Sequence, residues 1–174
     1  MEFSRLVFER QSDRKYDSQR NIEDEKIDRI LEAARLSPSA CNGQPYHAYV
    51  CRGEVARRVG ESCTKMGMNK FAPTAPVLIV ITERPLVASA AFGARMLKND
   101  YRSVDIGIFS SYITLAAADE GLGSCILGWF DREKLCEAIG TEDTPRLVIT
   151  LGYTLDGHRE KKRAEGEELF TRLG

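Results

Sequence analysis

Ser37–Pro45 reads SPSACNGQP, and this stretch separates a helical pattern from a strand pattern. Two prolines, a glycine and small residues make a rigid, irregular loop. Ser37-Pro38 ends whatever precedes it, because a residue before proline is pushed out of the helical region. Immediately upstream, Asn21 to Leu36 reads as a helix. Asn21 can cap it, and Glu23, Asp24 and Glu25 fall in the first turn, where the helix dipole favours anions. Ile27, Ile30, Leu31 and Ala34 then form one apolar stripe. Immediately downstream, Tyr46 to Cys51 reads as a short strand.

Further out the two patterns continue to alternate. Glu54 to Met66 is helical, and VLIVIT at Val77–Thr82 is a continuous apolar, β-branched run that suits a strand covered on both faces. Ala88 to Lys98 is helical. Ser103 to Glu120 is a long helix that is apolar almost all round, which means buried all round. One short chain would struggle to enclose such a helix, so part of it is expected in a subunit interface. Cys125–Gly128 is a strand, Arg132–Ile139 a helix and Arg146–Tyr153 a last strand; a polar, charged tail begins at Leu155. The tail has little to bury alone and is expected to cross a partner. The expected fold class is α+β, a sandwich with helices flanking one sheet, in a single domain spanning residues 1–174.

Bulk properties narrow the function. A chain of 174 residues buries enough surface to fold without staples. Its net charge of −1 argues against nucleic-acid or membrane-surface binding, both of which need a basic excess. The five cysteines, Cys41, Cys51, Cys63, Cys125 and Cys136, are odd in number and form no CxxC pair. They fit neither a disulfide framework nor a zinc site, so reduced thiols in a cytoplasmic protein are expected. No signal peptide is evident, and the most apolar stretch, Ile106–Ala118, is too short to span a membrane.

Four segments can carry chemistry, each with a plainer alternative. Arg10 and Arg14, four apart around Gln11, Ser12 and Asp13, can share one face of a helical turn and grip a phosphate; equally they fit a solvated charged helix. In SPSACNGQP, Asn42 and Gln44 each carry a donor and an acceptor, enough to read the edge of a planar heterocycle such as a flavin's pyrimidine end. Turn chemistry alone also explains them. Gly121–Trp129, GLGSCILGW, lets the backbone approach a ligand, and an N–H there could serve flavin N5; a helix cap followed by a buried strand is the plainer reading. GLG lacks the spacing of a dinucleotide fingerprint. Arg159, Lys161, Lys162 and Arg163 either complete a phosphate site or form a solvated charge run. The two histidines, His47 and His158, lie far apart with no metal-ligand pattern.

In order along the chain, these segments resemble the nitroreductase family of FMN-dependent enzymes. The carriers are Arg10-x-Ser12-x-Arg14, LEAARLSPSACNGQPYH, NKFAPTAPVLIVI, DIGIFSSYITLAAADEGLG, SCILGWFD, a strand ending LGY and the basic tail. The resemblance spans nearly the whole chain, with SPSACNGQP its most specific part. It implies a mostly antiparallel central sheet flanked by helices, in an intertwined homodimer with two FMN sites at the interface. Arg10, Gln11, Ser12 and Arg14 would hold the FMN phosphate and ribityl chain, joined by Lys161 and Arg163. Pro38, Ser39, Ala40 and Asn42 would come from the other subunit. Asn69 would approach the pyrimidine end, and Cys125, Ile126, Leu127 and Gly128 would line the ring, with a backbone N–H near N5.

The implied activity is hydride transfer from NADH or NADPH through flavin N5 to an electron-poor small molecule, a nitroaromatic, quinone or activated alkene, by a ping-pong mechanism. No catalytic side chain is implied. The alternatives are other flavin chemistry on the same scaffold (reductive dehalogenation or flavin breakdown) and a non-catalytic FMN-binding protein. The short segment between Thr82 and Asp105 contrasts with family members that carry extra helices there to wall the substrate pocket.

Overall fold

VLIVIT forms the middle of the sheet. The computed structural model describes residues 2–174, and in it Val77–Glu83 is a strand whose first six residues are fully buried. Successive side chains of a strand point to opposite faces. Val77, Ile79 and Ile81 therefore enter one core, while Leu78 and Val80 enter another. The strands are β1 (Tyr46–Arg52), β2 (Val77–Glu83), β3 (Gly123–Leu127) and β4 (Thr144–Gly152). They pair antiparallel throughout in the order β1-β2-β4-β3, which leaves β3 on an edge. The β2–β4 register shifts between Ile81 and Thr82, opposite Pro145. A proline without an N–H is tolerated at such a bulge.

The helices are α1 (Phe3–Glu9), α2 (Asp24–Arg35), α3 (Gly53–Ser62), α4 (Ala88–Leu97), α5 (Tyr101–Asp119), α6 (Arg132–Ile139) and the single turn α7 (Gly166–Leu169). On one face of the sheet, Ala56 and Val59 of α3 and Leu135 of α6 pack on Leu78, Val80, Val148 and Leu127. On the other, Ile27 and Ile30 of α2 and Ile106, Phe109 and Ile113 of α5 pack on Val77, Ile79, Ile149 and Leu151. Each fully buried isoleucine or leucine contributes about 1.5–3 kcal/mol relative to exposure. This is the expected α+β arrangement of helices flanking one antiparallel sheet.

Several boundaries differ from the sequence expectation. Asn21 lies outside α2, and Glu23 occupies the cap position. The helix expected to run to Met66 stops at Ser62; Met66 sits in a separate turn with φ 57°, which no helix accommodates. Helix α5 starts at Tyr101 because the Asp100 carboxylate accepts from Ser103 N at 3.1 Å and caps it there. Enclosure of α5 on every side is not achieved within one chain. Val104 is 50% and Tyr112 38% exposed, and Gly107 and Ser111 lie on the same exposed stripe.

Arg10–Arg14 is not a helical turn. Helix α1 ends at Glu9, and the chain then runs extended along β3, pairing Ser12 with Ser124 in parallel and Tyr16 with Thr154. Asp13 N donates to Ser124 O at 2.8 Å. A glycine at 123 is what lets this strip lie so close. A Cβ there would come within 2.7 Å of Thr154 Cβ and 2.8 Å of Asp13 Oδ2. Among the described residues no helix is long and apolar enough to cross a membrane.

Candidate functional site

The two ends of the chain meet beside the edge strand and form a cleft. Arg10, Gln11, Ser12 and Arg14 line it from the N-terminal strip; Arg159, Glu160, Lys161, Lys162 and Arg163 line it from the tail, around a volume of about 330 Å³. The tail is fixed by long-range hydrogen bonds to the strip. Asp156 Oδ2 accepts from Arg14 N at 2.6 Å, Gln11 Nε2 donates to Gly157 O at 3.0 Å, and Gln11 Oε1 accepts from Arg159 N at 2.9 Å. The Arg159 guanidinium donates to Ser12 O, and Lys161 Nζ donates to Phe8 O and, at 2.9 Å, to Val7 O. Lys161 thereby meets the carbonyl end of α1, where the dipole favours a cation.

Six cations and one carboxylate line this cleft. Lys161 is held below the ordinary lysine range, first by desolvation and then by repulsion from Arg10 and Arg163. Such a cluster is built to receive an anion. Gln11 lines the cleft and also braces it: its amide donates to Asp13 Oδ1 at 2.8 Å and ties the strip and tail together.

Strand β3 runs beside the strip that lines the cleft. Cys125 and Leu127 point into the core, whereas Ile126 and Gly128 are exposed. Burial pushes the Cys125 thiol up, with Arg14 opposing. At the strand exit, Trp129 Nε1 donates to Lys65 O at 2.9 Å and Asn69 Nδ2 donates to Trp129 O at 3.3 Å. The structure thus brings Asn69 next to the Cys125–Gly128 segment.

The SPSACNGQP loop is set apart from the cleft. Pro38, Ser39, Ala40 and Asn42 do not line it; the loop docks instead on α5, where Ala40 N donates to Asp105 Oδ1 at 3.0 Å. Ser39 Oγ accepts from Gln44 N at 3.0 Å, and Gln44 Nε2 donates to Asn42 O at 2.7 Å. Cys41, Asn42 and Gln44 have φ of 52°, 52° and 46°. Three left-handed residues without a glycine cost of order 1 kcal/mol each, and such strain persists where surroundings fix it. Asp105 is only 2% exposed, and its Oδ2 has no partner among the described residues.

Sequence reasoning missed Asp105 and Asp156 and placed Trp129 only as the end of the GLGSCILGW segment; all three act through backbone partners far away in sequence. Arg159 was read as part of a basic cluster, either completing a phosphate site or forming a solvated charge run, and it lines the cleft. A second cavity of about 360 Å³ adjoins the cleft, sharing Arg10 and Gln11, with His158 stacked on Phe8 at 4.8 Å.

Comparison with known proteins points one way. The family described as the Nitroreductase family matches residues 7–70 and 64–153. A candidate NADH dehydrogenase/NAD(P)H nitroreductase of Archaeoglobus fulgidus is 33% identical over 173 residues, covering 95% of this chain and 91% of its own. The structure of an FMN-dependent nitroreductase of Clostridium difficile superposes with a TM-score of 0.71 at 28% identity, covering 94% of this chain and 92% of the other. A nitroreductase family protein of Streptococcus pneumoniae gives a TM-score of 0.84 at 22% identity, covering 99% and 100%.

Proposed function

Because the chain belongs to the nitroreductase family, we propose that it is an FMN-dependent oxidoreductase whose cofactor phosphate lies in the basic cleft. The observation that carries this is the cleft itself: Arg10, Arg14, Arg159, Lys161, Lys162 and Arg163 converge with only Glu160 to offset them. A phosphate monoester carries about −1.5 to −2 charge at pH 7 and several strong acceptor oxygens. The donor set fits it.

The remaining roles follow the same line. Arg10, Ser12, Arg14, Lys161 and Arg163 would bind the phosphate and ribityl chain, with Gln11 fixing their geometry. Past Ser124, the outer side of β3 has no strand partner among the described residues. Its backbone N–H groups can therefore serve flavin N5, which explains why apolar Ile126 and Leu127 are acceptable between Cys125 and Gly128. Asn69 would meet the pyrimidine end. Pro38, Ser39, Ala40 and Asn42 would reach the flavin of a second subunit, the exposed stripe of α5 supplying the dimer contact. The whole chain then acts as one FMN-binding domain. A cytoplasmic setting suits its five free cysteines.

Bound FMN would supply the chemistry, taking hydride at N5 from NADH or NADPH and passing it to a nitroaromatic, quinone or activated alkene in ping-pong half-reactions. The chain's own part is to bind, orient and tune; no side chain is assigned as proton donor.

The test is a titration of FMN into flavin-stripped protein, followed by quenching of flavin fluorescence. Saturable binding at micromolar protein, lost in high salt, is expected. Absence of any uptake contradicts the proposal.

A further inference from the structure

Trp129 follows the segment proposed to line the flavin ring, and both its polar groups reach one loop. Nε1 donates to Lys65 O at 2.9 Å, and the carbonyl accepts from Asn69 Nδ2 at 3.3 Å. Two residues after Trp129, Asp131 pairs with Lys65 Nζ at 3.3 Å. The loop so held contains Met66, Gly67 and Asn69 at φ of 57°, 77° and 45°. Backbone of this kind keeps one shape only where its surroundings impose it. Trp129 is itself 47% exposed, so packing alone does not account for its placement.

The bond from Asn69 has a chemical consequence. A carbonyl oxygen can only accept, so the amide atom facing Trp129 is Nδ2, and Oδ1 is left as the free acceptor. The pyrimidine end of a flavin presents one donor, N3–H, between two carbonyls. We propose that Trp129 is a positioning residue: by tying both ends of the Lys65–Asn69 loop to the exit of β3, it holds the Asn69 amide so that Oδ1 receives the flavin N3–H. This rests on the FMN reading above. It makes the site selective for flavins that retain N3–H.

The experiment compares dissociation constants for FMN and 3-methyl-FMN in the wild type and in Asn69→Ala, Trp129→Phe and the double variant, with thermal unfolding as a control. Trp129→Phe keeps an aromatic ring and the backbone carbonyl but removes the donor to Lys65; Trp129→Tyr is the substitute if it folds poorly. The wild type is expected to favour FMN about tenfold, the worth of one good hydrogen bond. Asn69→Ala brings that ratio close to one. Trp129→Phe lowers it to about threefold or less at an unchanged melting temperature, and the double variant matches Asn69→Ala. A Trp129→Phe protein that keeps the wild-type ratio overturns the positioning role. A wild type that binds both flavins equally overturns the Asn69 contact while leaving FMN binding intact. A wild type that binds neither flavin overturns the FMN reading itself.

Discussion

Arg163 is the cleanest probe of the basic cleft, since among the described residues its guanidinium donates only to the neighbouring Lys162 O. A charge-assisted hydrogen bond is worth about 1.5–3 kcal/mol, so Arg163→Ala should weaken FMN binding roughly ten- to hundredfold with little change in stability. Fluorescence titration and thermal unfolding on the same sample check both halves. Gly123→Ala should act on stability. Its Cβ would press on Thr154 and Asp13, and forcing apart the strip and the edge strand costs about 1–3 kcal/mol, read from denaturant unfolding. At this scale the sequence was partly legible. Arginine and lysine announce an affinity for phosphate by their chemistry alone. The bonds of Gln11 to Asp13, Gly157 and Arg159 were not legible, because two of those partners lie more than a hundred residues away.

Among the elements, β2 and α2 were readable because burial writes a local period into them: a continuous apolar run for one, an i, i+3, i+4 stripe for the other. The extended strip at Ser12–Tyr16 was not, since it is held by partners more than a hundred residues away and has no period of its own. Helix α5 shows the same limit from the other side. Its uniform apolarity spoke of burial without saying by what, and the structure divides it into a stripe covered by its own chain and a stripe of Val104, Gly107, Ser111 and Tyr112 left open. If the open stripe is the dimer contact, sedimentation at micromolar concentration should give about twice the 19.5 kDa chain mass. Val104→Glu, placing a charge in that contact, should shift the protein toward monomer. A wild-type monomer that still binds FMN would contradict a shared site.

Over the whole molecule, two cores lie on opposite faces of one sheet, hydrogen bonds tie the chain ends together beside β3, and the cleft exists only because those ends meet. One of these cores sets a pH limit. Burial pushes the Cys51 and Cys63 thiols up from 9.0 to about 11. Both are neutral in the fold, while the unfolded chain ionises them at lower pH. Their contribution to stability is complete below pH 9 and is lost as pH rises toward 11. Denaturant midpoints should fall across that window, and less so in a Cys51→Ala, Cys63→Ala double variant. The general architecture was legible in sequence because it follows from which residues avoid water. The site was legible as pieces, and the piece at Ser37–Pro45 stays apart from the cleft within one chain. The account stands on flavin being bound and reducible, so the visible spectrum of the purified protein, recorded anaerobically before and after NADH or NADPH, tests it most directly. A flavin band that bleaches on adding the nicotinamide and returns with a quinone or nitroaromatic is the predicted result; a colourless protein that takes up no FMN, or a bound flavin that neither nicotinamide reduces, would contradict it.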